Sequence, residues 1–185
     1  MRALVRRVLL VRHPPVARRW AGRCYGASDM GWSREGQAMA RDLVERLAGE
    51  GLGAIVHSGL VRSRRLAGML GRRTGIVPRA DPRWRERDFG AWEGRSWQAI
   101  WRETGDLMDR MTTDPEGFRP GGGETGAELL ARASAAFGAL PRTGATLVIG
   151  HGGPIAVLRA DRAGLGLADV AALIPRHGEI VEMGS

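Results

Sequence analysis

Two histidines stand at matching places in this chain. Val8-Leu9-Leu10-Val11 runs into Arg12-His13, and Thr146-Leu147-Val148-Ile149 runs through Gly150 into His151-Gly152-Gly153. A neutral imidazole near pH 7 can attack an electrophilic centre or carry a proton. A guanidinium offers a planar fork of donors that matches phosphate oxygens. Two imidazoles and a guanidinium converging on one edge of a sheet therefore suit a phosphate ester. Two separate, locally satisfied histidines are the competing reading of this pair alone, because histidine fills many structural roles.

Convergence depends on the elements that carry these residues. Each run is short, continuously aliphatic and bounded by breakers, which predicts a buried parallel strand. Ligands of open α/β sheets bind beyond the carboxyl ends of such strands. Between the two runs, Ser33 can cap a helix that follows Met39, Leu43 and Leu47 to about Ala48, with Gly51 and Gly53 breaking it. Ala54-Ile55-Val56-His57 predicts a second strand, Leu60 to Leu70 a helix stopped by Gly71 and Gly75, and Ile76-Val77 a short strand. Residues 81–123 are irregular and rich in Trp, Gly and Pro, with one helix from Trp97 to about Arg110. So long a stretch outside the core is usually functional. Thr125 and Glu128 have the spacing of a capping box, followed by an apolar face of Leu129, Leu130, Ala133, Phe137 and Leu140. A helix from about Pro154 and a strand at Ile180-Val181 complete the pattern. Alternating β and α elements predict a three-layer α/β/α sandwich with a mainly parallel sheet.

Composition narrows the function. A chain of 185 residues suits one domain, residues 1–185, that buries about 70% of its unfolded surface. The one cysteine, Cys24, excludes an internal disulfide and suits a reducing compartment. Val8 to Val11 is too short for a signal-peptide core or a membrane span, so a cytoplasmic protein with no membrane partner is expected. The net charge is +8, but every basic residue is an arginine and the arginines are scattered, so no nucleic-acid partner is expected. Without lysine there is no Walker-A, Schiff-base or pyridoxal chemistry. GxSxG, HExxH and CxxC are absent too, and no metal or other cofactor is expected.

Four blocks in order carry a resemblance: the strand ending in R-H at 12–13, S-G-L-V-R-S-R-R-L-A at 58–67, W-R-E-R-D-F-G-A-W-E-G at 84–94, and G-H-G-G-P-I at 150–155. Together they resemble the histidine phosphatase superfamily, with its phosphoglycerate mutase-like fold, over nearly the whole chain. The resemblance implies that His13 is a nucleophile forming phosphohistidine, that Arg12 and Arg62 hold phosphoryl oxygens beside His151, and that Glu86 is the general acid. The chemistry is coherent. A phosphomonoester carries about −1.5 to −2 charge, which two arginine forks can neutralise. The leaving alkoxide needs a proton that a carboxylic acid can give. Glu93 is expected to fix its loop, His57 to be a rim or structural residue, and His177 to lie on a surface loop. Glu124, in G-G-E-T, either faces the pocket or complements a helix N-terminus. Trp92 or Trp97 could floor a ring-binding site.

The run His13-Pro14-Pro15-Val16 departs from the family, which usually has glycine after this histidine; Pro14 has no N–H to offer a phosphate. G-R-C-Y-G-A-S-D at 22–29, which brings in Tyr25 as a possible pocket residue, and F-R-P-G-G-G-E-T at 118–125 most resemble the α-ribazole phosphatase branch. The resemblance thus implies a metal-independent phosphomonoesterase for a small phosphate ester, with α-ribazole 5′-phosphate of cobalamin nucleotide-loop assembly as the substrate. A phosphoglycerate mutase-type phosphotransferase, a broad-specificity phosphatase, a phosphate-binding module that has lost activity, and an arginine-driven nucleic-acid binder are the alternatives. The sequence says nothing of the oligomeric state.

Overall fold

The computed structural model describes residues 6–184. Five strands form one sheet: β1 (Arg7–Arg12), β2 (Leu52–His57), β3 (Arg79–Ala80), β4 (Ala145–Gly150) and β5 (Ile180–Gly184). Their order is β3-β2-β4-β1-β5, parallel except for β5, which lies antiparallel on β1. The helices are α1 (Arg34–Ala48), α2 (Val61–Thr74), α3 (Trp97–Thr104), α4 (Arg110–Thr113), α5 (Gly126–Gly138) and α6 (Gly152–Arg162).

The alternation of side chains along β1 sets the layers. Val8 and Leu10 pack with Val56, Val148, Leu129, Phe137 and Ile155 under α5 and α6. Leu9 and Val11 point the other way, to Leu43, Leu47, Leu66, Leu70 and Ile149 under α1 and α2. Both faces are therefore covered, which is why the strands read as unbroken apolar runs. The three-layer sandwich is the expected one. A third cluster of Cys24, Trp92, Ile100 and Phe118, with Phe89, Trp97, Met108 and Met111 against it, holds the 81–123 region together as a cap.

Local signals explain most element ends. The Ser33 hydroxyl accepts from the Gly36 N–H, and Thr125 and Glu128 form the full capping box. Four expectations need correction. Gly71 lies inside α2, which ends only at Gly75, where φ is +78° and the left-handed cap suits glycine. The short strand is Arg79–Ala80 rather than Ile76-Val77, because Pro78 resets the chain and only residues 79 and 80 register with Val56 and His57. The helix from Trp97 stops at Thr104; Gly105, at φ +51°, breaks it into a 3-10 turn before α4. Gly53 does not break a helix but lies inside β2, at an irregularity of its register with β4.

Candidate active site

The register of the sheet brings the two histidines together. β1 and β4 are neighbours, with Arg12 opposite Gly150, so His13 and His151 leave the sheet side by side. Their ring centroids are 5.1 Å apart, and both side chains are buried. β2 ends at His57 opposite Ile149, which carries Ser58 to His151.

Hydrogen bonds fix the tautomer of each ring. The carbonyl of Pro14 can only accept, so His13 Nδ1 carries the proton across a 2.8 Å bond and Nε2 keeps its lone pair. Arg62 Nε–H can only donate, and it reaches His151 Nδ1 at 3.2 Å. His151 Nε2 then donates to Ser58 Oγ at 2.7 Å, Ser58 to Ser63 Oγ at 2.7 Å, and Ser63 to the carbonyl of Leu60 at 3.0 Å. Both nitrogens of His151 are thus engaged within the protein, and the ring orients Arg62. Burial, then the Arg62 guanidinium, pushes the pKa of both His13 and His151 well below the ordinary histidine value. Both are neutral at pH 7.

Arg62 lies in the first turn of α2, where the helix dipole disfavours a cation, and it is fully buried. Its Nη1 donates to the Ser28 carbonyl at 2.6 Å and its Nη2 to the Gly26 carbonyl at 2.7 Å. Glu93 builds that loop: it accepts from the N–H groups of Gly26, Ala27 and Ser28 and from the Ser28 hydroxyl. Burial pushes the Glu93 carboxyl up, but these hydrogen bonds outweigh it and hold its pKa below the ordinary value. Glu93 therefore fixes the 26–28 loop, reaching well beyond its own. Arg12 donates from Nη1 to the Pro175 carbonyl at 2.8 Å, while its buried Nε has no hydrogen-bond partner among the described residues. Such a donor is ready for an anion.

Glu86 is seated on the N-terminus of α6. Its carboxylate accepts from Gly153 N–H at 3.0 Å and Arg87 N–H at 2.9 Å. A Cβ on Gly153 would come within 2.3 Å of Glu86 Oε1, and one on Gly152 within 2.9 Å of Ile174 Cγ2 and 3.4 Å of Arg12 Cζ. The two glycines after His151 let the carboxylate and the guanidinium approach the helix end.

Arg12, Tyr25, Glu86, Gly152 and Gly153 line one end of a cavity of about 530 Å³, and Phe89, Trp97, Met111, Leu129, Leu167 and Val170 are among the residues of its apolar walls. His13, Arg62 and His151 are enclosed with almost no exposure. Tyr25 covers Arg62, whose Cζ is 5.6 Å from the ring centroid. Burial raises the Tyr25 pKa, against the neighbouring Arg12 and Arg62, so the phenol stays protonated. Trp97 reaches the cavity, whereas Trp92 is buried in the cap core.

The remaining candidates fall elsewhere. His57, expected at the rim or in a structural role and a possible pocket residue, is buried with Nδ1 accepting from Gly59 N–H at 3.0 Å and is not among the residues lining the large cavity. Glu124 does not line the large cavity; it faces a separate groove of about 410 Å³ and pairs with Arg132, two donors of one guanidinium against its two oxygens. His177 lies in a turn, as expected, but is half-buried. It lies 5.0 Å, centroid to centroid, from His13 and donates from Nδ1 to the His13 carbonyl at 2.9 Å. Burial, with Arg12 beside it, lowers its pKa to about 4. Its segment also clasps Arg12, with Gly178 N–H on the Arg12 carbonyl at 2.9 Å and Arg12 N–H on the Glu179 carbonyl at 3.3 Å. Nothing in the local sequence signals this role, because it comes from the antiparallel return of β5.

Comparison with known proteins agrees with this geometry. The chain is 30% identical over 161 residues to a Yersinia pestis protein called "Probable phosphoglycerate mutase GpmB", covering 85% of this chain and 75% of that one. A mycobacterial glucosyl-3-phosphoglycerate phosphatase superposes with a TM-score of 0.84 at 28% identity, over 96% of this chain and 89% of that one. The α-ribazole phosphatase of Shigella flexneri shares the fold, with a TM-score of 0.83 at 20% identity over 95% and 89% of the two chains. A profile of the histidine phosphatase superfamily (branch 1) matches residues 8–184. The chain belongs to that superfamily.

Proposed function

We propose that this protein is a metal-independent phosphomonoesterase working through phosphohistidine at His13. The observation that carries the reading is the locked His13 ring. Its Nδ1 proton is held by the Pro14 carbonyl, which leaves a neutral Nε2 lone pair in a site with Arg12 and Arg62. Pro14 takes the amide away from the phosphate site but supplies the carbonyl that sets the nucleophile. Nε2 attacks phosphorus as the ester P–O bond breaks, and Glu86 gives the departing oxygen its proton. Arg62, oriented by His151, and Arg12, with its unpaired Nε, neutralise the phosphoryl oxygens. Water then attacks the phosphohistidine, with Glu86 taking its proton, and phosphate is released.

The apolar walls of the cavity favour a leaving alcohol with an apolar, flat body at a short distance from the phosphate. α-Ribazole 5′-phosphate, with its aromatic base, meets that description and is our first choice of substrate. Transfer to phosphoglycerate is the second reading, favoured by the name of the Yersinia relative. Small, highly charged phosphoglycerate gains little from walls of Phe89, Trp97, Met111 and Leu129.

A phosphate-release panel tests this: α-ribazole phosphate, phosphoglycerate, sugar phosphates and nucleotides, with His13→Ala as the blank. Rapid acid-free quench should show acid-labile phosphate on His13, absent in His13→Ala, and α-ribazole phosphate should have the highest kcat/KM. Phosphate on His151, or transfer to phosphoglycerate outrunning hydrolysis, overturns the proposal.

A further inference from the structure

Glu86 stands on a loop with little secondary structure of its own, so something outside the loop must hold it. The structure offers one guanidinium that does most of this. Arg132, in the middle of α5, uses all five of its N–H donors. Nη1 donates to the carbonyls of Arg83 and Arg85, both at 2.7 Å, and Nη2 to the carbonyl of Glu86 at 3.0 Å. Nε and the second Nη2 proton close a bidentate pair with Glu124 at 2.5 and 2.8 Å. Glu124 extends the hold along the same loop. Its N–H donates to the Asp88 carbonyl at 2.9 Å, and its own carbonyl accepts from Arg87 Nε at 2.9 Å. The Glu86 backbone is thus held from α5, and its carboxylate from the first turn of α6.

We infer that Arg132, anchored by Glu124, is a positioning residue for Glu86: it sets the loop so that the carboxyl stands over the leaving oxygen. This rests on the reading of Glu86 as the proton donor. Neither residue touches the reacting atoms. Charge-assisted bonds are short and directional, and a planar fork can serve three carbonyls and a carboxylate at once. A lysine keeps the charge but offers three donors on a single atom, and cannot.

The test uses leaving groups, because a proton donor matters for an alkoxide and little for a nitrophenolate. The burst rate of His13 phosphorylation is measured with ribose 5-phosphate and with p-nitrophenyl phosphate. Glu86→Gln comes first and should slow the ribose ester by about 10²- to 10⁴-fold, and the nitrophenyl ester far less. Equal slowing of both esters by Glu86→Gln removes the proton-donor reading and this inference with it. Given that discrimination, Arg132→Lys should slow the ribose ester by about 10- to 100-fold and the nitrophenyl ester by less than about 3-fold. In a Glu86→Gln background, Arg132→Lys should add less than about 3-fold, since residues acting through one group are not additive. Equal slowing of both esters by Arg132→Lys, or a full multiplicative loss in the Glu86→Gln background, refutes the inference while leaving Glu86 as the donor. Glu124→Gln keeps the three carbonyl bonds and weakens only the anchor, so it should show the same leaving-group pattern at smaller size. If Arg132→Lys does not fold, Glu124→Gln decides, and a leaving-group-independent loss there refutes the inference.

Discussion

The strand-end half of the site and the cap half are built on different principles. At the strand ends, His13, His151 and Arg62 are placed by backbone register and by a closed chain of hydrogen bonds from Ser28 and Gly26 to Ser63 and Leu60. Both nitrogens of His151 and the Nδ1 of His13 have defined partners, and His13 Nε2 is left free among the described residues. In the cap, Phe89, Trp97, Met108 and Met111 are held by apolar packing, which is tolerant of shape. The difference separates two tasks. On the proposed function, phosphoryl transfer, which needs fixed charges and protons, falls where directional bonds are densest. Choice of the leaving alcohol needs a surface that can change without disturbing them.

The sharpest way to break this comparison is at Arg62. Arg62→Ala removes a buried clamp and unties His151, and should lower kcat/KM by about 10³-fold, near the cost of losing a preorganised oxyanion donor. Arg65, three residues on, is exposed and lies over the Trp32 ring, 5.0 Å from its centroid. Arg65→Ala should change kcat/KM by less than about 3-fold, as surface substitutions usually do little. Equal losses at both positions would mean that the phosphate clamp lies elsewhere.

A smaller effect is expected in the cap. Trp97→Ala shrinks the apolar wall and should raise KM for an ester with an aromatic leaving group by about 10-fold, in the range of one lost apolar contact surface. The same variant should leave KM for glycerol phosphate within about 2-fold, since that alcohol is too short to press on the wall. Similar changes for both esters would erase the division between chemistry and specificity. Steady-state kinetics of the two esters measures this.

The smallest effect is on stability, and it belongs to the strand-end half alone. All four histidines, at 13, 57, 151 and 177, lie outside the cap. Each has its pKa lowered in the folded protein, with burial as the largest cause. In the unfolded chain they titrate near the ordinary value of about 6.5. As pH falls below that value the unfolded state takes up protons that the folded state refuses, so stability must fall. The urea midpoint should therefore drop between pH 7.5 and pH 5, above the range in which paired carboxylates such as Glu93 begin to protonate. His177→Asn should make that drop shallower. A flat midpoint across the interval would show that the imidazoles are not held neutral by the fold.

What could be read beforehand follows the same division. His13 and His151 announce themselves at the ends of apolar runs, whereas Arg62 and Glu86 were legible only through the resemblance of their blocks to a known family. Ser33 and the Thr125–Glu128 box announced helix starts because capping is local chemistry. His177 and Arg132 gave no such signal. Their partners lie 164 and up to 49 residues away, so only the closed fold brings them together. Glu124 admitted two readings, a pocket residue or a complement to a helix N-terminus, and its pairing with Arg132 was legible in neither. Its neighbours in sequence are glycines typical of a pocket loop, but its charge is consumed by an arginine two helical turns further on. The apolar end of the cavity drew on Leu129, Val157, Leu167 and Val170, residues that any core would contain.

The clasp of residues 175–179 around β1 has a consequence for the order in which this protein acquires activity during folding. β1 pairs with β4, Arg7 opposite Ala145, and with β5, Arg7 opposite Gly184, so the first contact closes a loop of about three quarters of the chain and the second a loop of nearly all of it. Such contacts form late, because long loops lose the most entropy before any bond repays them. A nascent chain that has reached α5 holds Arg12, His13, Arg62 and Glu86 but lacks Pro175, His177, His151 and Gly153, a neighbour of each. Without Pro175 the Arg12 fork is untethered, and without His177 the His13 carbonyl has no side-chain donor. On the proposed function, a chain that stops at α5 has neither His151 to orient Arg62 nor Pro175 to tether Arg12, and it is expected not to be phosphorylated at His13.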